Sequence, residues 1–260
     1  MNSANSMNLS SLLMASSLVL ISLFFSYYQK LKLEKEIIIG VVRAVIQLVI
    51  IGYILDFIFG LKNPLFTTFL IMFMIFNAAV NASKRGKSIK GSLLISFISI
   101  ACGTTLTLIV LIFAKAIKYE PFQIIPVGGM VISNAMVAIG LCYKQMVSDF
   151  QVKRQEVETK LALGADIFLS SKEIIRNSIK TGILPTIDSM KTLGIVSLPG
   201  MMTGLILAGT SPIQAIKFQI MVTFMLSSAT TIAAFICCYL SYKKFFNDRK
   251  QLIFEKINRV

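Results

Sequence analysis

The stretch that decides the fold is GSLLISFISIACGTTLTLIVLIFA, residues 91–114, which contains no Asp, Glu, Lys or Arg. About 20 apolar residues in a helix are enough to cross the hydrocarbon layer of a membrane. Six further stretches of the chain are similarly apolar. We therefore predict one polytopic membrane domain over residues 1–260, all α-helical, with about seven transmembrane helices. The other predicted spans are 8–28, 37–60, 64–82, 122–143, 183–209 and 213–241.

The composition favours the same class of protein. Of 260 residues, 55% are hydrophobic and 15% are charged, and the mean hydropathy is +0.77. Soluble proteins carry about 25% charged residues, so a water-soluble globular enzyme is excluded, as is a disordered chain. The net charge is +14. Because no basic face interleaved with aromatic residues is present, we expect a lipid membrane as the surroundings and no nucleic-acid partner.

The distribution of Lys and Arg predicts the orientation of the chain. The segments that follow predicted spans 1, 3, 5 and 7 contain 20 of these residues, and those that follow spans 2, 4 and 6 contain three. Cytoplasmic loops of membrane proteins carry the excess of basic residues. We therefore expect a multi-pass protein of the inner (plasma) membrane, with its N-terminus outside and its C-terminus in the cytoplasm.

One connection, residues 144–182, is too polar to cross a membrane and is much longer than the others. Its residues favour helix, and Gly164 is a plausible end for a first helix. Ser170 and Glu173 have the spacing of a capping box at the start of a second helix. The sequence therefore predicts an amphipathic helical hairpin on the cytoplasmic side.

Charged and polar side chains inside the predicted spans are candidates for a transport path, because such groups are costly in lipid. Arg43 and Gln47 share one face of span 2, and Asp56 lies about two turns further along. Asp188 and Lys191 are three residues apart in span 6 and can pair. The alternative is that these groups only hold helices together.

Proline and glycine residues predict two interruptions of membrane helices. Span 5 contains Pro126, Gly128 and Gly129, with Asn134 close behind, and span 6 contains Pro185 and then the sequence SLPGMMTG at 197–204. Irregular backbone at membrane depth is tolerated only where it is buried in protein or lines a cavity, and transporters use it at substrate sites. Simple packing kinks are the alternative explanation.

Methionine residues lie around these predicted breaks. Thioethers are soft ligands that suit Cu(I), but methionine is also an ordinary filler of apolar space. The chain has no histidine, and its four cysteines lie in apolar runs without a CxxC pair, so the residues leave the metal ligands unknown. The methionines concerned are Met130, Met136, Met190, Met201 and Met202.

Enzyme signatures are missing from the sequence. Gly86-Lys87-Ser88 resembles the end of a phosphate-binding loop, but Asn81 stands where the required earlier glycine would be. A hydrolase triad of the usual kind needs a histidine, and this chain has none. We therefore predict that the chain is not an enzyme and has no catalytic residues.

Four segments carry a resemblance to a known family. EVETKLALGA (156–165) and RNSIKTGILPTIDSMKTLGIVSLPGMMTGLILAGTSPIQAIKFQI (176–220), with RAVIQLVIIGYIL (43–55) and IPVGGMVISNAM (125–136), closely resemble the iron-export type of ABC permease. Plant aluminium-tolerance permeases belong to the same family. The chain departs from the expected pattern at Ser133, where the family implies glycine.

The resemblance implies a permease that exports a metal ion such as iron and works with a separate ABC ATPase. ATP and Mg would be used by that partner, so this chain would bind no cofactor itself. The resemblance also implies a permease homodimer and a coupling segment within 144–182. The coupling candidates are Glu156, Glu158, Leu161 and Gly164. The alternative function is a secondary transporter or channel that needs no ATPase.

Overall fold

The computed structural model describes residues 9–61 and 64–253. Their regular structure is helical, apart from two isolated β-bridges, and this confirms the predicted all-α class. A 3-10 turn, Tyr242–Phe245, follows the last α-helix. The α-helices are α1 Leu9–Tyr28, α2 Glu34–Leu61, α3 Pro64–Arg85, α4 Ser92–Phe113, α5 Pro121–Val152, α6 Arg154–Ala162, α7 Ile167–Thr192, α8 Gly200–Leu207 and α9 Pro212–Ser241.

Five of the described helices are long and apolar enough to cross a membrane, and a shorter apolar helix covers Met14–Tyr28. The count of seven spans is not confirmed, because the predicted span 183–209 is divided between the end of α7 and the short α8. The five long segments are Glu34–Leu55, Pro64–Arg85, Ser92–Phe113, Pro121–Val152 and Pro212–Phe245.

The chain divides into two compact units, residues 1–62 and 63–260. In the first unit, α1 and α2 form a helical hairpin. Ser26 is buried near its turn, where its hydroxyl donates to Oε1 of Glu34 over 2.9 Å and accepts from the backbone N–H of Leu33 over 3.3 Å. These bonds fix the turn, while the apolar side chains of both helices stay largely exposed, as expected of a lipid-facing hairpin.

In the second unit, α5 is the central helix and packs against α3, α4, α7 and α9. Tyr143 lies fully buried in this core, and its hydroxyl donates to the backbone oxygen of Ser92 over 3.1 Å. Its ring lies over Gly86, where an added Cβ would come within 2.7 Å of the ring. A glycine is therefore needed after α3 so that the aromatic ring can fill the core.

The predicted interruption of span 5 is wrong, because α5 is continuous through Pro126 and both following glycines. Pro126 is only the sixth residue of this helix, so its missing N–H removes one hydrogen bond close to the helix start. Gly129 instead leaves room for Met74, whose Cε would lie 3.0 Å from an added Cβ. These residues serve helix packing at this position.

The connection between α5 and α7 differs from the predicted hairpin. α5 continues to Val152, and α7 runs without interruption from Ile167 through Pro185 to Thr192, which leaves only α6 as a separate short helix. The end near Gly164 is confirmed, since Gly164 has φ +90°. The predicted capping box is wrong: Asp166 caps α7 and accepts from the backbone N–H of Leu169 over 2.6 Å.

The predicted interruption near 197–204 is confirmed. α7 ends at Thr192 and α8 begins at Gly200, with an irregular segment at 193–199 between them. Within this segment Gly194 has φ +79°, and its N–H donates to the backbone oxygen of Ser197 over 3.0 Å. The chain thus makes a tight turn here, which glycine permits at little steric cost.

Candidate functional site

A cavity of about 270 Å³ lies beside the interruption, between α5, α7, α8 and α9. Its walls combine thioether, amide and hydroxyl groups with apolar side chains and two prolines. The residues that give it this character are Met130, Asn134, Pro185, Thr186, Ser189, Met190, Pro199, Met201, Gln219 and Thr223.

The cavity lies along two apolar helices, α5 and α9, that are long enough to cross a membrane. A helix rises 1.5 Å per residue, so Met130 and Asn134 lie about 14 and 20 Å along α5 from Pro121. Gln219 lies about 10 Å along α9 from Pro212 by the same count. Both helices are longer than the hydrocarbon core, which is about 30 Å thick, and these residues lie away from the helix ends.

The polar groups of the cavity are only partly satisfied. Asn134 Nδ2 donates to the backbone oxygen of Met130 over 2.8 Å, which turns the amide back on its own helix. Thr223 Oγ1 donates to the backbone oxygen of Gln219 over 2.8 Å. Oε1 of Gln219 is buried and has no hydrogen-bond partner among the described residues. Because a buried acceptor without a donor costs free energy, this oxygen is available to a ligand.

A second cavity of about 600 Å³ adjoins the same interruption. Met190, Pro199, Gln219 and Thr223 line both cavities, and Met202 lines only the second. The two spaces therefore share a wall built from the irregular segment and the middle of α9.

Several sequence candidates meet at this place, while others do not. Met130, Asn134 and Met201 line the first cavity, and Met202 lines the second. The charged candidates Asp188 and Lys191 line neither.

The structure forms the predicted pair of Asp188 and Lys191, with 3.0 Å between Nζ and Oδ1. The two side chains are nevertheless 57% and 66% exposed, so within one chain the pair is not buried. Its charges face outward from the helix bundle.

The candidates of span 2 belong to the first unit of the chain. Arg43 and Gln47 lie on α2 with exposed side chains, and the Asp56 side chain lies outside the described residues.

Sequence reasoning missed Gln219 and Thr223, together with Thr186 and Ser189. Gln219 is a polar residue inside the predicted span 213–241, and that signal could have marked it as a site candidate. The hydroxyl residues gave no such signal, because Ser and Thr are common in membrane helices and often bond to their own backbone.

The chemistry of the first cavity is neutral. Its walls contain no carboxylate or ammonium group, and the described part of the chain contains no cluster of three or more His, Cys, Asp and Glu residues that could hold a metal ion. Three thioethers, the amide oxygens of Gln219 and Asn134, and the Ser and Thr hydroxyls are the available ligand atoms. Such a site can contact a cation weakly or accept a hydrogen bond, but it offers no high-affinity cage for a hard ion.

The connection between α5 and α7, residues 153–166, contains α6, and we call it the elbow. It lies at the ends of α5 and α7 that are farther from the cavity. Val157 of α6 is buried, whereas Leu163 is 83% exposed. The two coupling candidates Glu156 and Glu158 are exposed, and each pairs with a basic residue of its own helix. Leu161 is half-buried against the core. One face of α6 thus packs against the core, and the opposite face is exposed.

Two contacts hold this elbow in place. Lys153 pairs with Glu173 of α7, and this contact raises the pKa of Lys153 and lowers the pKa of Glu173, mainly through the hydrogen bond between them. Phe150 stacks on Phe245 with 4.2 Å between ring centroids and meets Phe246 edge-on. The C-terminal segment therefore packs against the end of α5.

Comparison with known proteins gives matches over almost the whole chain. The model of the Uncharacterised protein family (UPF0014) matches residues 9–246. The chain is 47% identical over 259 residues to "Probable iron export permease protein FetB" of Escherichia coli K12, and the alignment covers all of both chains. No solved structure matches the chain.

Plant relatives are similar over most of their length. Identity to the rice UPF0014 membrane protein STAR2 is 37%, over 92% of this chain and 84% of the relative. For the Arabidopsis thaliana protein ALUMINUM SENSITIVE 3 the identity is 36%, over 90% and 86%. The resemblance carried by residues 43–55, 125–136, 156–165 and 176–220 is thereby confirmed. This chain belongs to the UPF0014 family of membrane proteins.

Proposed function

We propose that this protein is the membrane-spanning permease subunit of an ABC transporter that exports a metal ion such as iron, driven by a separate ATPase subunit. The observation that carries the proposal is the course of α7. This one continuous helix begins beside the α6 elbow and ends at the cavity and the helix break. A rigid element that joins a cytoplasmic contact to a cavity at membrane depth is what mechanical coupling requires.

The packing of α7 is suited to movement as a rigid helix about one crossing point. The helix has 26 residues and is therefore about 39 Å long. It crosses α5 closely at Gly182, where an added Cβ would clash with Cys142 Sγ and lie 2.9 Å from the Ala138 oxygen. A displacement of the α6 end by the ATPase would move α7 about this crossing, and the cavity walls from Pro185 to Met190 would move with it.

The coupling contact is proposed at the exposed side of α6. Leu163 supplies an apolar contact, and Glu156 and Glu158 supply charge. Gly164 sets the angle between α6 and α7 through its positive φ. Binding of ATP and Mg and hydrolysis of ATP belong to the partner, and this chain contributes no catalytic residue.

The choice of iron rests on the name of the Escherichia coli relative. The neutral cavity is compatible with passage of a cation, because conduction requires binding that is weak enough for release. The amide oxygen of Gln219 and the nearby hydroxyl groups would replace part of the hydration shell of the ion.

Orientation and assembly follow from the charge distribution and the ABC architecture. The excess of Lys and Arg after spans 1, 3, 5 and 7 puts α6 and the C-terminus on the cytoplasmic side of an inner membrane, where the ATPase is available. Two permease copies with two ATPase subunits form the proposed transporter.

Vesicle transport tests the proposal. The chain is reconstituted with and without its ATPase, and iron movement is followed with and without MgATP. We expect transport only when the ATPase and MgATP are both present. Transport by the permease alone, driven by an ion gradient, would instead identify a secondary transporter or channel.

A further inference from the structure

Three features near the helix break of the second unit are ones that lipid cannot satisfy. We define the break face as Asp188, Lys191, the segment 193–199 and α8. We propose that two copies of the chain pair through their break faces, with Asp188 of each copy facing Lys191 of the other. This deepens the homodimer of the proposed function and rests on it in taking the face to lie within the bilayer.

The first feature is the ion pair itself. Asp188 and Lys191 lie on α7 beside Ser189 and Met190, which line the cavity together with Asn134 about 20 Å along α5. In the proposed arrangement this level lies within the bilayer, yet both side chains are more than half exposed in the single chain. Charged groups at that depth face protein or a water-filled space, because lipid does not solvate them.

The second feature is the backbone of the segment 193–199. Thr192 O accepts the N–H groups of Ile195, Val196 and Ser197, and Ser197 O accepts that of Gly194. The carbonyl oxygens of Gly194, Ile195 and Val196 accept no backbone hydrogen bond within the described chain. Irregular backbone of this kind does not occur against lipid in membrane proteins.

The third feature is α8. Its eight residues extend over about 12 Å, too short to cross a bilayer, and none of them is buried in the single chain. Leu207 of α8 and Val196 of the preceding segment are each 78% exposed. Together with the polar backbone, these apolar side chains form a mixed surface of the type found in protein interfaces.

The charge pattern favours a second copy of the chain as the partner that binds the break face. Two copies with the same membrane orientation are related by an axis along the membrane normal, so their α7 helices run parallel. Asp188 and Lys191 are one turn apart, about 4.5 Å along the axis, and the lysine already reaches down to Asp188 of its own helix. Across a two-fold axis, Lys191 of one copy can reach the level of Asp188 on the facing α7 of the other copy. Four alternating charges then form a self-complementary network.

Two charge variants test the pairing. The D188K chain carries lysine at both positions, and the K191D chain carries aspartate at both. Each variant, purified in detergent with two different tags, should lose self-association about tenfold or more, because like charges then meet across the axis. Co-expressed D188K and K191D chains should pull each other down at the wild-type level.

The mixed pair distinguishes contact between copies from a contact within one chain. Neither variant can form the Asp–Lys pair within its own α7, so recovery requires pairing between chains and also demonstrates that both variants fold. The K217E variant, which changes a charge of α9 that lies beside α4, should self-associate like the wild type. Wild-type self-association of D188K, or failure of the mixed pair, would overturn the proposal.

A cysteine at position 196 gives an independent measurement. Val196→Cys is made with Cys102→Ser, because Cys102 is exposed and the other three cysteines are buried. A short bismaleimide should then produce a species of twice 28.7 kDa in native membranes. Absence of that species contradicts the proposal. Neither experiment measures transport, so a failure here is distinct from a failure of ATP-dependent export.

Discussion

Gly182 on α7 lies directly against Cys142 on α5. A methyl group at position 182 would overlap Cys142 Sγ and lie 2.9 Å from the backbone oxygen of Ala138. Cys142 is itself fully buried, so neither the thiol nor the carbonyl can move aside without disturbing the core. The close crossing of the two helices therefore depends on the missing side chain of this glycine.

Gly182→Ala should destabilise the protein by about 1–3 kcal/mol, since overpacking forces side chains and backbone from their minima. Thermal unfolding in detergent measures the effect, and transport should fall in parallel because α7 is displaced. Gly52→Ala on α2 is the matched control, as an added Cβ there meets nothing within 4 Å. Equal unfolding temperatures for the two variants would contradict the tight crossing.

The hydroxyl of Tyr143 ties α5 to α4 inside the core. It lies 3.1 Å from the Ser92 backbone oxygen and 2.9 Å from Ser96 Oγ. Tyr143→Phe should reduce the free energy of unfolding by about 1 kcal/mol, because a buried hydrogen bond is lost while the ring remains. Tyr239→Phe serves as control, since Tyr239 is 43% exposed and should tolerate loss of its hydroxyl. Denaturant titration of both variants gives the comparison.

We expect the elbow to couple ATP hydrolysis by the partner ATPase to transport. Glu158→Lys replaces an exposed carboxylate of α6 and also breaks its pair with Arg154. Gly164→Pro forces φ to a negative value where the structure has +90°. We expect both variants to insert into the membrane and to lower the amount of iron moved per ATP hydrolysed. Wild-type coupling in both would argue against an ATPase contact at α6.

The Lys153–Glu173 pair predicts a pH dependence at the same elbow. The pair lowers the pKa of Glu173 below its ordinary value of 4.5, so the folded state favours the carboxylate. Its contribution is fully present above that ordinary value and is lost as the pH falls through the lowered pKa. Glu173→Gln should therefore lower the unfolding temperature slightly at pH 7 and have no effect in strong acid. Glu36→Gln is the control, because Glu36 forms no ion pair in the described chain.

Hydropathy predicted the membrane helices well because apolar length is a direct physical requirement of the bilayer. It failed at the end of α5 and at the start of α7, where each helix continues past its apolar stretch with polar residues. The stretch from 144 to 152 therefore resembled a loop by composition, although its backbone hydrogen bonds simply continue those of α5. The amino-acid composition of a segment indicates whether it contacts water or an apolar environment. It does not indicate at which residue a helix ends.

The two predicted helix interruptions illustrate the same limit of prediction from composition. Pro126 and the turn at 193–199 gave similar sequence signals, but Pro126 lies close to a helix start, where one missing hydrogen bond is tolerated. Asn134 and four methionines were found because they flank these signals. Gln219 was missed because it lies on α9, which comes beside the break only through tertiary packing. A single sequence carries little direct information on such long-range contacts.

Gln219 offers the most direct test of the cavity. Its Oε1 is buried without a hydrogen-bond partner among the described residues, which costs free energy unless a ligand supplies the donor or the charge. Gln219→Leu removes that oxygen at similar volume. The fold should then become more stable by about 1 kcal/mol, while transport falls.

Opposite changes in stability and transport are what separate a binding role from a structural one. A glutamine that merely supports packing would lose stability and transport together on replacement by leucine. Gln214→Leu, two residues into α9 and outside both cavities, is the matched control and should leave transport unchanged. Thermal unfolding and ATP-driven iron flux are measured on the same preparations. Full transport by Gln219→Leu would remove the cavity from the proposed path, because this amide is its one buried acceptor without a donor in the described chain.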